Sequence, residues 1–131
     1  MSGRRSRDKG ARAERAVVAW LRENGYPDAR RYLAGDGLQP GDIDAIPAVC
    51  LEVKSQARYD LPGWLRQTIT EAGPDRLPVL IVHPNGVADV GDWWTICRVR
   101  DFVPLLADDS ATACPERSTP LEPCSCFVSV S

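Results

Sequence analysis

Asp42, Glu52 and Lys54 are the residues of this chain whose types and spacing best suit chemistry. In Val49-Cys50-Leu51-Glu52-Val53-Lys54 the β-forming residues alternate with others, the pattern of a strand. Val49, Leu51 and Val53 fall on one face and can enter a core, while Cys50, Glu52 and Lys54 fall on the other. A carboxylate and an ammonium two residues apart then point the same way. The preceding segment, Pro40-Gly41-Asp42-Ile43-Asp44, is punctuated by Gly41 and followed by Pro47. If it pairs antiparallel with 49–54, Asp42 reaches the same place. Two carboxylates and a lysine converging on one spot suit hydrolysis of a phosphodiester. A hard divalent cation held by one or two carboxylates neutralises phosphate charge and activates water. The lysine orients that water and stabilises the developing negative charge. Glu-x-Lys alone is common and often no more than an exposed ion pair. Asp42, ten positions before Glu52, and a further carboxylate upstream favour the site. Asp44 lies on the same face as Asp42 by alternation and competes with it as a ligand.

The upstream carboxylate is Glu14. A helix is predicted from Asp8 or Gly10 to about Asn24, stopped by Gly25 with Pro27 beyond. Glu14, Val17, Val18 and Leu21 stand at helical spacing on one face, widened by Ala13, Ala16 and Trp20. Glu14 therefore belongs to the core-facing stripe. Residues 1–7 read as a solvated basic arm in the free state. A first strand is expected over Ala29–Ala34, with Arg30 and Arg31 on opposite faces, then a turn-rich loop over Gly35–Gly41. After Lys54, Gln56 is a candidate site residue. A second helix is predicted over Leu61–Ala72, with Asp60 as N-cap and Pro62 in the first turn. Leu61, Leu65, Thr68, Ile69 and Ala72 form its expected buried stripe, and Gln67 is a further site candidate beside Trp64. The apolar run Val79–Val82 reads as a strand covered on both faces. His83 ends it, as a hydrogen-bonded residue rather than a ligand. Asp92–Val99 is expected to pair with that strand, and a short helix starts at Arg100. The order is α-β-β-β-α-β-β-α, an α/β arrangement with a mixed central sheet flanked by helices.

Length and composition set bounds. The chain has 131 residues, enough for one ordinary domain, and 44% of them are hydrophobic. It has no long apolar run for a membrane span and no apolar stretch of a secretory signal near its start, so a cytoplasmic location is expected. The net charge of -2 argues against a protein that coats nucleic acid uniformly, but the charge is unevenly placed. Residues 1–31 hold nine Lys/Arg against four acids, and residues 107–131 hold one against four. A basic front end beside an acidic site fits a protein that grips a phosphate backbone near a metal. Five cysteines and one histidine, His83, match neither a disulfide framework nor a zinc spacing. The acidic stretch 107–131, rich in Cys, Pro and Ser, is expected to be irregular.

Asp42…Glu52-Val53-Lys54 resembles the PD-(D/E)xK nuclease superfamily. Lys9-Gly10-Ala11-Arg12-Ala13-Glu14-Arg15 is similar to the opening of archaeal-type and phage-type Holliday junction resolvases, and Pro40-Gly41-Asp42-Ile43 through Glu52-Val53-Lys54 resembles the phage branch. The resemblance covers roughly residues 8–106 as the nuclease domain. It implies a restriction-endonuclease-like fold and a Mg²⁺-dependent DNA endonuclease, with Mn²⁺ as a substitute. It implies Asp42, Glu52 and the Val53 carbonyl as metal ligands, Glu14 as the third acidic member and Lys54 as the residue positioning water. Lys9, Arg12, Arg15, Arg30 and Arg31 become the DNA-binding candidates. A four-way junction is the implied substrate, cut by a homodimer whose apolar contact comes from the Trp64 helix and the Trp93-Trp94 strand. A restriction-like or repair nuclease, or a non-catalytic DNA-binding protein of this fold, are the alternatives.

Overall fold

A computed structural model of the chain describes residues 2–32 and 41–110. The chain divides into two compact units, Met1–Cys97 and Arg98–Ser131. The nuclease domain expected over 8–106 runs across that division. The expected loop over 35–41, apart from Gly41, lies outside the described residues, as does the tail beyond 110.

The first helix, α1, spans Ser2–Glu23 and so starts ahead of Asp8, taking in the residues assigned to a solvated arm. No proline interrupts 2–23, and Gly3 and Gly10 each cost a helix only about 1 kcal/mol. Neither glycine is therefore enough to set the start of the helix at Asp8 or Gly10. Ala13, Val17, Val18 and Leu21 are buried as expected, but Trp20 is exposed at the edge of the stripe. The helix ends where Gly25 takes a φ of 107°, with the Tyr26 N–H donating to the Leu21 carbonyl at 2.9 Å.

Five strands form one sheet in chain order: β1 (Arg30–Arg31), β2 (Ile43–Asp44), β3 (Val49–Lys54), β4 (Leu77–Val82) and β5 (Trp94–Ile96). β1–β2, β2–β3 and β4–β5 are antiparallel, and β3–β4 is parallel. The parallel pair requires a crossover, supplied by α2 (Leu61–Ala72). A turn joins β2 to β3, with Pro47 followed by Ala48 at a positive φ of 62°. A short 3₁₀ turn (Val90–Asp92) precedes β5, so the last strand is shorter than the expected 92–99. In the second unit, α3 spans Val99–Ser110 and Arg98 Nε donates to Asp101 Oδ2 at 2.7 Å.

Both faces of the sheet are covered. On one face, Ile43, Leu51 and Val53 pack with the α1 stripe, joined by Val49, Val79 and Ile81. On the other, Leu80 and Val82 pack against Trp64 of α2, with Leu61, Leu65 and Ile96 around them. Trp64 was expected to offer surface for a dimer and is instead core. The buried stripe of α2 runs through Trp64, Thr68 and Ala72, while Leu61, Leu65 and Ile69 lie only partly buried. The stripe is turned toward Trp64 because that large ring buries the most apolar area. Asp60 caps α2, accepting from the Gly63 N–H at 3.1 Å.

Candidate active site

β3 carries the centre of the site. Its α1-facing residues are apolar, and its α2-facing residues become more polar along the strand. Cys50 is fully buried, its thiol 4.0 Å from the Thr68 carbonyl oxygen. Burial, followed by the field of Glu71, pushes that thiol up to about 11. Glu52 is only 5% exposed, and Lys54 is partly buried at the strand end. Lys54 Nζ stands 3.7 Å from Glu52 Oε1, so the two share a face as alternation required.

Asp42 joins them through β2. Ile43 pairs with Leu51, so Asp42 stands one register step away, across from Glu52. The Asp42 N–H donates to the Leu51 carbonyl at 2.7 Å, and Asp42 Oδ2 accepts from the Val53 N–H at 2.8 Å. Gly41, at a φ of 78°, makes this closeness possible, because a Cβ there would collide with the Leu51 carbonyl. Asp42 is thereby stitched to β3 at both its backbone and its side chain.

The two carboxyls differ in electrostatics. Burial raises Asp42 to about 6, opposed by the Val53 hydrogen bond and Lys54, and aided by Glu14 and Glu71. Burial raises Glu52 further, to about 9, reinforced by a hydrogen bond with Glu71 and by the Asp42 charge. Lys54 opposes the shift without cancelling it. Glu71, one helical turn from Gln67 on α2, was not singled out from the sequence. The signal for it was its place three residues after Thr68, beside the buried stripe. Gln67 itself hydrogen-bonds Glu71 at 3.2 Å and lines no described cavity, so it reaches the site only through that residue.

A cleft of about 580 Å³ gathers Glu14, Arg31, Asp42, Glu52, Lys54 and Gln56, with Val53 in its wall. Glu14 is held by Arg31, with Nε to Oε2 at 2.8 Å. Arg30 lies outside this cleft and pairs with Asp44 at 3.3 Å on the exposed edge of the sheet. Asp44 is thus set apart from Asp42 although strand alternation put the two on one face. Asp42 is outside regular β pairing, turned inward by its bond to Val53. Arg15 lines a separate depression with Arg30 and Arg31, and Lys9 and Arg12 line another beside His83 and Trp93.

His83 fixes the strand end as expected. Its Nε2 lies 2.6 Å from the Val87 carbonyl, which can only accept, so Nε2 carries a proton. In the neutral ring Nδ1 then accepts from the Ser55 hydroxyl at 3.0 Å. The His83 N–H donates to the Lys54 carbonyl at 2.9 Å, and Trp93 stacks on the imidazole at 4.0 Å. Lys54 is held from behind by this network.

Among the described residues, no three His, Cys, Asp or Glu side chains form a ready cage for an ion. Asp42 and Glu52 can supply two oxygens, and no donor among the described residues reaches Asp42 Oδ1. A hard cation that retains several waters is served by such a sparse set. Comparison with family models, curated proteins and solved structures gives no match.

Proposed function

We propose that the protein is a Mg²⁺-dependent DNA endonuclease of the restriction-endonuclease-like fold, acting on branched DNA as a Holliday junction resolvase. The observation that carries this reading is the meeting of Asp42, Glu52 and Lys54 in one cleft, from paired strands, with Glu14 in its wall. The carboxyls of Asp42 and Glu52, both raised chiefly by burial, are poised to exchange a proton for a cation, the proton passing to solvent. Asp42, Glu52 and the Val53 carbonyl would hold that cation, which when bound lowers the pKa of water and offsets phosphate charge. Lys54, braced by His83, points its ammonium beside Glu52 and orients the water that attacks phosphorus. As the new P–O bond forms, the attacking water gives up a proton to solvent and one bridging P–O bond breaks, its oxygen taking a proton from solvent. Glu14, fixed by Arg31, keeps the wall of the cleft rigid beside Asp42.

A four-way junction needs two nicks placed with two-fold symmetry, and one chain carries one such site. A homodimer is therefore part of the reading. With Trp64 in the core, Trp94, which is 46% exposed, is the remaining aromatic candidate for the contact. The test is cleavage of four-way junction, nicked, flapped and linear duplexes with Mg²⁺, alongside the particle mass in solution. Paired nicks in the junction by a two-chain particle are expected. Cleavage of linear duplex at equal rate by a single chain sinks the resolvase part. No metal-dependent cleavage of any DNA sinks the whole.

A further inference from the structure

The carboxylate cleft continues past Gln56. A second cavity of about 740 Å³ opens beside it, and the two share Ser6, Ser55 and Gln56 as lining. The charges in its wall are of one sign: Arg5 and Lys9 from α1, and Arg58 from the loop after β3. No carboxylate lines it. All three cations are exposed, and among the described residues none of them is ion-paired. Elsewhere in the chain Arg30, Arg31 and Arg98 are each held by a carboxylate. Arg5 and Lys9 also stand four residues apart on α1, a spacing at which like charges weaken a helix. Three unneutralised cations around one groove, two of them at a repulsive spacing, are relieved by an anion between them.

We infer that this groove is a track for the sugar–phosphate backbone on one side of the scissile phosphate, with Arg5, Lys9 and Arg58 each neutralising a flanking phosphate. This rests on the nuclease reading and gives it a direction: the strand runs from Glu52 and Lys54 over Ser55 and Gln56 toward Arg58. A polymeric anion fits better than a small one, because the groove is continuous with the carboxylate cleft. Arg58 presents a planar fork that takes a phosphate bidentately, and Lys9 acts as a point charge. The DNA-facing cations are then not those of the β1 edge, where Arg30 and Arg31 are held by Asp44 and Glu14.

The test separates binding from cutting. Affinity for a fluorescently labelled DNA is measured by anisotropy with chelator present, over a series of salt concentrations. Each phosphate contact contributes about 0.9 to the slope of log affinity against log salt. Arg58→Ala is expected to lower that slope by about 0.9, and Arg5→Ala, Lys9→Ala and Arg58→Ala together by about 2.7. Arg58→Lys keeps the slope, and so does Arg66→Ala on the exposed surface of α2. If the triple variant loses helix by circular dichroism, the loop variant Arg58→Ala decides alone. A wild-type slope in Arg58→Ala, in a protein that still cuts DNA, removes the groove and leaves the nuclease reading standing. A wild-type chain that neither binds nor cuts DNA removes both.

Discussion

The two faces of β3 are equally well covered and differ in purpose. Val49, Leu51 and Val53 meet the apolar stripe of α1, where shape and area are all that matter. Cys50, Glu52 and Lys54 face the other way, and there burial acts on groups that carry or exchange protons. The thiol of Cys50 is raised to about 11 and the carboxyl of Glu52 to about 9 by the same desolvation. One strand thus serves as scaffold on one side and carries the candidate site on the other, with only a peptide unit between the two. Changes on the first face should act on stability, and changes on the second should act on chemistry.

The largest expected effect is that of Glu52→Gln. It keeps the shape of the neutral acid, so melting temperature should hold or rise while cleavage falls. Loss of one transition-state contact costs about 10²–10³ in rate, and loss of a metal ligand at least as much. Near wild-type cutting by this variant removes Glu52 from the site. Leu51→Ala sits next in the chain and should do the opposite. A buried leucine truncated to alanine costs about 2–5 kcal/mol, read in denaturant unfolding, while the folded fraction cuts normally. A cutting defect larger than the unfolded fraction explains would mean that the two faces are not separable.

The third effect concerns pH. The folded carboxyls of Asp42 and Glu52 titrate near 6 and 9, above their ordinary values of 3.8 and 4.5. The folded chain therefore holds more protons than the unfolded one between those limits. Its stability is complete below about 4 and is lost as pH rises through 6 and then 9. A thermal melt in chelator should show the melting temperature falling from pH 5 to pH 9, and Glu52→Gln should remove the alkaline part of the fall. A melting temperature that climbs over this range contradicts the buried-acid description. The smallest effect is expected for Asp44→Asn at the exposed edge. Surface pairs contribute about 0–1 kcal/mol, so stability and cutting should both stay near wild type. A loss as large as that of Asp42→Asn would move the ligand to Asp44.

Much of this was legible in the sequence because it depends on local periodicity. Alternation alone puts Glu52 and Lys54 on one face, and the element order follows from apolar runs and turn residues, whereas Gly41 reads only as turn punctuation until its backbone is seen against the Leu51 carbonyl. Alternation does not say whether a face is covered. Cys50 reads as polar-side, yet α2 lies over it, because Trp64 turns that helix inward. Glu71 reaches Glu52 only through the placement of α2 on the sheet, which no spacing encodes. Nor can charge counting tell the arginines apart. Arg30 and Arg31 look as available as Arg5 until β1 sets them beside Asp44 and Glu14.

The pairing of β3 has a consequence for how the site comes apart. Six residue pairs join β3 to β4, whereas one joins β2 to β3 and two join β1 to β2. Amide exchange should therefore be slowest along 49–54 and 77–82 and much faster at Ile43 and Asp44, since short edge pairings open locally at small free-energy cost. Asp42 rides on the part that opens first and Glu52 on the part that opens last. Under mild denaturant the two carboxylates are expected to separate while the sheet persists, so the proposed cation site would come apart before the fold does.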